Sequence, residues 1–81
     1  MERISILGST GSIGVQTLDI VRRNPERFSV TALVAHSRWQ ELATQAREFG
    51  VERVVIGDER HYASLKEALR DTSIEVAAGS D

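Results

Sequence analysis

Ile4-Ser5-Ile6-Leu7-Gly8-Ser9-Thr10-Gly11-Ser12-Ile13-Gly14 decides how the chain is read. An apolar run stops at a glycine, two more glycines follow at three-residue spacing, and an amphipathic pattern begins. This is a strand, a tight turn and a helix N-terminus. Such a turn aims backbone N–H groups and the positive end of a helix dipole at one spot, where a phosphate binds. Gly8 suits a turn conformation that side chains resist. Gly11 lets a pyrophosphate approach the backbone, and Gly14 lets the helix pack close to the sheet. The spacing is GxxGxxG rather than GxGxxG, a variant that also serves dinucleotides.

Outward from this stretch, strands and helices alternate with no repeat and no low-complexity segment. The pattern predicts strands over about Arg3–Leu7, Ser29–Ala35, Arg53–Ile56 and Ile74–Ala77. Helices are expected over about Ser12–Arg23, Arg38–Phe49 and Glu59–Arg70. Ile13, Thr17, Ile20 and Val21 mark the inward face of the first helix, which Asn24-Pro25 ends. Trp39, Leu42, Ala43 and Ala46 face inward on the second, with Gly50 as its C-cap. Asp58 is the N-cap expected for the third, with Tyr62, Leu65 and Leu69 inward. The unbroken apolar run Val30–Ala35 suggests a central strand covered on both faces. The fold class is therefore α/β: the first four strands of a Rossmann-type, doubly wound parallel sheet. The expected spatial order is 3-2-1-4, with the cofactor above strand one.

Composition narrows the function. Eighty-one residues make at most one small domain, and such chains bury only roughly 60–65% of their unfolded surface. The chain reads as the N-terminal part, residues 1–81, of a dinucleotide-binding domain whose remainder is absent. With no cysteine there is no disulfide or thiolate metal site, which suits a cytoplasmic setting. A net charge of −2 with dispersed basic residues gives no nucleic-acid patch. No apolar run is long enough to cross a bilayer, and the first strand begins too early for a signal peptide. His36 and His61 are distant in sequence, so no metal site is expected here. Ser9, Thr10 and Ser12 have no base to activate them and read as turn residues and phosphate contacts. Arg22, Arg23, Glu26 and Arg27 read as a solvated helix end.

The second strand ends in Ala35-His36-Ser37-Arg38, without the acid that would bond a ribose 2′-hydroxyl. Two readings of Arg38 stay open. It holds a 2′-phosphate in its guanidinium fork, or it is a solvated surface arginine. Ser37-Arg38-Trp39-Gln40 fits a capping box with Ser37 as N-cap, which would place the Arg38 cation unfavourably at a helix N-terminus. His36 is either a second phosphate partner or a loop histidine without a role.

Gly8-Ser9-Thr10-Gly11-Ser12-Ile13-Gly14, Thr17-Leu18-Asp19-Ile20-Val21 and Asn24-Pro25-Glu26-Arg27-Phe28 together resemble the N-terminus of the 1-deoxy-D-xylulose 5-phosphate reductoisomerase family. Val30–Ala35 and Val54-Val55-Ile56-Gly57-Asp58-Glu59 are also similar. The resemblance implies an oxidoreductase of non-mevalonate isoprene biosynthesis. It would isomerise its phosphorylated sugar and reduce the product with NADPH to 2-C-methyl-D-erythritol 4-phosphate. It further implies a homodimer using Mg²⁺, Mn²⁺ or Co²⁺ bound outside this segment. Thr10, Gly11, Ser12 and Ile13 match the family's pyrophosphate contacts. Gly8 completes that turn, and His36, Ser37 and Arg38 occupy the 2′-phosphate loop. There the family usually reads Gly-Lys-Asn or Gly-Arg-Asn, so this chain departs from it. No catalytic residue and no metal ligand is expected within these residues, so the segment alone should be inactive. Competing readings are another NADP-dependent reductase, such as a semialdehyde dehydrogenase relative with a downstream cysteine, a dinucleotide-sensing module without activity, and a structural domain that binds no NADPH.

Overall fold

A computed structural model describes residues 1–79. The elements are β1 (Glu2–Leu7), α1 (Ser12–Arg23), β2 (Phe28–Ala35), α2 (Trp39–Phe49), β3 (Arg53–Ile56), a 3-10 turn (Glu59–His61), α3 (Tyr62–Ala68) and β4 (Glu75–Ala78). Gly50 caps α2 in the left-handed conformation, φ 60° and ψ 44°. The Asp58 side chain caps the 3-10 turn by accepting the Arg60 backbone N–H at 3.0 Å. The third helix is shorter than its pattern suggests because its first turn is 3-10 and it stops at Ala68.

All four strands are parallel, but their order is β1-β2-β3-β4, not 3-2-1-4. β4 lies beside β3, in the register Val54↔Val76 and Ile56↔Ala78. The reason lies in α3. A right-handed return to the outer side of β1 requires a helix on the opposite face of the sheet. Leu65 and Leu69 instead join Leu18, Val21, Leu42 and Ala46 in one core, and α3 packs beside α2. With every helix on the same face, each right-handed crossover steps onward to the next free edge. The described residues are thus wound in one direction only.

One face of the sheet carries the core. The row Ile6–Leu33–Val54–Val76 points to the helices. The adjacent row, Leu7–Val34–Val55–Ala77, points away, and Leu7 is 79% exposed. β2 is therefore covered on one face among the described residues, not on both. Its unbroken apolar run has another cause. The register shifts between Ile4 and Ser5, which pair with Val30 and Ala32 and leave Thr31 as a bulge. The bulge turns Val30 and Leu33, three residues apart, to the same side. Thr31 stays satisfied, its hydroxyl donating to the Ile4 carbonyl at 3.2 Å and its carbonyl accepting from Glu52 N–H at 2.9 Å.

The inward face of α1 is Gly14, Leu18 and Val21. Ile13 and Ile20 were expected inward but are exposed. Arg22 is more than a solvated helix end: it donates to both carboxylate oxygens of Glu48, at 2.5 and 3.0 Å, and so ties α1 to α2. This bond raises the Arg22 pKa and lowers that of Glu48. Arg47 similarly links α2 to the Ala68 carbonyl and to Asp71.

A one-sided core separates two leucines sharply. Leu42→Ala removes a side chain with no exposed surface and is expected to cost about 2–5 kcal/mol. Leu7→Ala should change stability by less than about 0.5 kcal/mol in the 81-residue chain. Urea denaturation of the two variants checks this; equal losses would mean that Leu7 is also packed.

Candidate functional site

The turn between β1 and α1 is built from backbone. Gly8 has φ +74°, where a side chain would be strained. The N–H groups of Gly8 and Ser9 both donate to the Val34 carbonyl, at 2.7 and 3.0 Å, which fixes the turn to the end of β2. Gly11 N–H closes the turn on the Gly8 carbonyl at 3.1 Å. The three glycines are not equivalent. A Cβ on Gly14 would lie 2.2 Å from the Gly8 carbonyl oxygen and 2.7 Å from Ser9 Cα. On Gly11 it would stand 3.4 Å from the same oxygen, and the Gly11 backbone, φ −80° and ψ 173°, is open to any residue. The fold requires glycine at 14, whereas at 11 only something outside the chain would require it.

Among the described residues, the N–H groups of Thr10, Ser12, Ile13 and Gly14 donate to no backbone carbonyl or side chain. They surround the N-terminus of α1, whose first turn holds no acidic residue. Free donors with a helix dipole behind them make an anion site.

The second half of the site is the loop after β2. A cleft of about 720 Å³ is lined by Thr10, Gly11, Ser12, Val15 and Gln16 from one side and by His36, Ser37 and Arg38 from the other. Gly8 and His36 meet in an adjoining hollow over the strand ends, with Val55 and Gly57. Of the residues expected from sequence to form the site, Thr10, Gly11, Ser12, His36, Ser37 and Arg38 are brought together. Gly8 lies next door, and Ile13 turns its side chain to solvent, 74% exposed, leaving its N–H at the helix start.

Ser37 is not the N-cap of α2. Arg38 holds that position, with no side-chain cap, and the Trp39 N–H donates to the Ser37 carbonyl at 2.8 Å. The capping-box pattern is one residue out of phase with the helix, which leaves the Ser37 side chain at the cleft. Arg38 is exposed and sits 3.7 Å from Glu41 in the first turn of α2. Glu41 therefore offsets the unfavourable cation at this helix start.

Gly57 and Gln45 also shape the site, and neither was anticipated. A Cβ on Gly57 would lie 2.8 Å from His36 Nδ1, so the imbalance of size between the two lets His36 settle over the end of β3. Asp58 N–H donates to the His36 carbonyl at 2.8 Å. The Asp58 carboxyl is held well below the usual carboxylate range, chiefly by the Arg60 guanidinium and then by the Arg60 N–H. That anchoring is in place above the ordinary carboxylate pKa and is lost as pH falls toward the depressed folded value. Gln45 donates from α2 to the Ser9 carbonyl at 3.0 Å. It follows Leu42 by three residues, on the inward stripe, where a polar side chain signals a partner. His61 is half-buried and 3.8 Å from Asp58; it does not line the cleft around Thr10 and Gly11 but borders an adjoining hollow with Ser37 and Arg38. Among the described residues, no three His, Cys, Asp or Glu side chains cluster as a metal site, and no helix is long and apolar enough to cross a membrane.

The steric contrast between the glycines is testable. Gly14→Ala is expected to destabilise the protein by about 1–3 kcal/mol through overpacking against backbone. Gly11→Ala, at the N-cap of α1, should cost no more than about 1 kcal/mol. Thermal or urea unfolding of both variants decides it, and an equal loss at Gly11 would make that glycine structural as well.

A family model described as 1-deoxy-D-xylulose 5-phosphate reductoisomerase matches residues 4–81. A curated relative of that name from Desulfitobacterium hafniense (strain DSM 10664 / DCB-2) is 49% identical over 81 residues, which is all of this chain and 21% of the relative. The solved reductoisomerase from Zymomonas mobilis in complex with NADPH superposes with a TM-score of 0.93 at 45% identity, covering 96% of this chain and 21% of that one. A second solved reductoisomerase, in complex with NADPH, fosmidomycin and magnesium, gives 0.92 at 33% identity over 99% of this chain and 20% of its own. The chain thus spans about a fifth of the length of these relatives.

Proposed function

The chain belongs to the 1-deoxy-D-xylulose 5-phosphate reductoisomerase family, and from that premise we propose that its residues form the first part of an NADPH-binding domain. The whole protein would be a cytoplasmic homodimer. It would rearrange 1-deoxy-D-xylulose 5-phosphate and reduce the product to 2-C-methyl-D-erythritol 4-phosphate, a step of isoprene biosynthesis. One observation carries the reading: the glycine turn and the loop after β2 converge on a single cleft that free backbone donors and a guanidinium share.

The residues present fit the cofactor. Thr10, Ser12 and Ile13 would direct their N–H groups to the pyrophosphate, with the α1 dipole behind them. Gly8 gives the turn its conformation. Gly11 presents a surface with no Cβ, so a phosphate can reach the backbone. His36, Ser37 and Arg38 would hold the adenosine end, and Arg38 would fork onto the 2′-phosphate that distinguishes NADPH from NADH. When bound, the cofactor supplies the hydride, and the segment's part is to anchor and orient it. The acids that would hold a divalent metal, Mg²⁺, Mn²⁺ or Co²⁺, and the groups that would bind the sugar phosphate, are assigned to the rest of the protein. No catalytic residue is assigned within residues 1–81, and turnover by this segment alone is not expected.

The test uses a full-length reductoisomerase whose residues 1–81 are this sequence. NADPH should bind saturably and more tightly than NADH. Arg38→Ala should weaken NADPH about ten- to a hundredfold, the worth of one or more charge-assisted hydrogen bonds, and leave NADH nearly unchanged. Fluorescence titration of each cofactor reads both quantities. Equal losses would assign Arg38 to helix structure, and no saturable NADPH binding by the unaltered protein would overturn the proposed function.

A further inference from the structure

We propose that Gln45 is a positioning residue for the phosphate-binding turn, acting from α2 through the Ser9 carbonyl. The inference rests on the cofactor reading above and deepens it.

Ser9 is fully buried, so its carbonyl needs a donor from the protein. Gly8 and Ser9 spend their N–H groups on Val34, and Gly11 spends its own on Gly8. Among the described residues, the donor to the Ser9 carbonyl is Gln45 Nε2 at 3.0 Å, from 36 positions further along the chain. A further donor within reach by chain geometry is the N–H of Ile13, four residues on, which would make this bond if α1 began two residues earlier, with Ser9 as its N-cap. That N–H is one of the free donors around the helix start. Gln45 therefore satisfies the carbonyl from outside the helix, and the turn keeps Ile13 N–H available to a ligand. Without Gln45, the buried carbonyl favours drawing Ile13 N–H inward, and the anion site loses a donor and its shape.

The surroundings suit this role. Ser9 Oγ and Gln45 Oε1 are both buried without a hydrogen-bond partner. A hydroxyl that can donate and an amide oxygen that can accept thus accompany the same contact. So polar a node in the interior is costly to maintain. It also ties the turn that would hold the pyrophosphate to the helix whose first residues would hold the 2′-phosphate.

The experiment measures Gln45→Met and Gln45→Glu in a full-length reductoisomerase whose residues 1–81 are this sequence. Methionine keeps the length and drops the amide; glutamate keeps the shape and, assayed at a pH where it is ionised, removes the donor. The KM for NADPH should rise about tenfold, as expected for one lost hydrogen bond to a buried acceptor. The KM for NADH should rise by the same factor, because both cofactors use the turn. The sugar-phosphate KM should hold, and kcat at saturating NADPH should fall less than twofold. A merely structural role would lower thermal stability without this split. An unchanged NADPH KM in either folded variant overturns the inference, and so does a loss confined to NADPH, which would place the effect at Arg38. If Gln45→Met does not fold, Gln45→Glu decides alone. Failure of the unaltered protein to bind NADPH overturns the proposed function itself; unaltered binding with insensitive variants overturns the role of Gln45 only.

Discussion

Gly14 sits so close to the preceding turn that an added Cβ would fall 2.2 Å from the Gly8 carbonyl oxygen. This contact sets the rotation of α1 about its axis. With Gly14 against the turn, the residues that follow on the same side are Leu18 and Val21, four and seven positions on. Ile13 and Ile20 must then face outward. The same approach presses the helix start against the strand end, so the first N–H groups of α1 emerge beside the end of β2. Position of the helix, identity of its buried face and aim of its free donors all follow from one missing side chain.

The elements themselves were legible in the sequence, down to Gly50 and Asp58 as caps, because each follows from local chemistry. The winding was not. Right-handedness constrains each crossover but leaves open which face a helix takes, and that choice decides whether the sheet turns back or continues. Leu65 and Leu69 settle it by joining the core that α1 and α2 already built. Their spacing is the same for either face, so no local pattern could distinguish the two. The face of α1 was misread for a related reason. Val21 was expected inward and is buried, but Ile13 and Ile20 satisfy helical periodicity with it as well as Gly14 and Leu18 do, and only the steric demand at Gly14 selects between the stripes.

The bulge at Thr31 shows how an apolar run can mislead. Val30-Thr31-Ala32-Leu33-Val34-Ala35 reads as a strand covered on both sides. In the fold, Thr31 shifts the phase so that Val30 and Leu33 share the core. Val34 then falls in the row with Leu7, Val55 and Ala77, on the face away from the helices. Yet Val34 also provides the carbonyl that receives both Gly8 and Ser9 N–H groups. The end of β2 thus supports the turn from one side and Gln45 supports it from the other. Donors held in place before a ligand arrives need no ordering when it binds, which is the advantage of a site built from backbone.

The loop His36-Ser37-Arg38 is where local sequence logic and site geometry pull apart. A capping box would have used Ser37 to start α2 and left Arg38 opposed to the helix dipole. Instead the helix begins one residue later without a side-chain cap. The Arg38 guanidinium finds Glu41 at 3.7 Å, so its position alone does not demand an anion. The magnitudes still favour one. An exposed ion pair at that separation is worth at most about 1 kcal/mol, whereas a guanidinium forked onto a phosphate gains about 1.5–3 kcal/mol for each charge-assisted bond. Glu41 therefore holds Arg38 near the cleft in a pair weak enough for the proposed 2′-phosphate to displace. Under the proposed NADPH reading, such a pair would keep the cation at the site and yield it to the stronger partner.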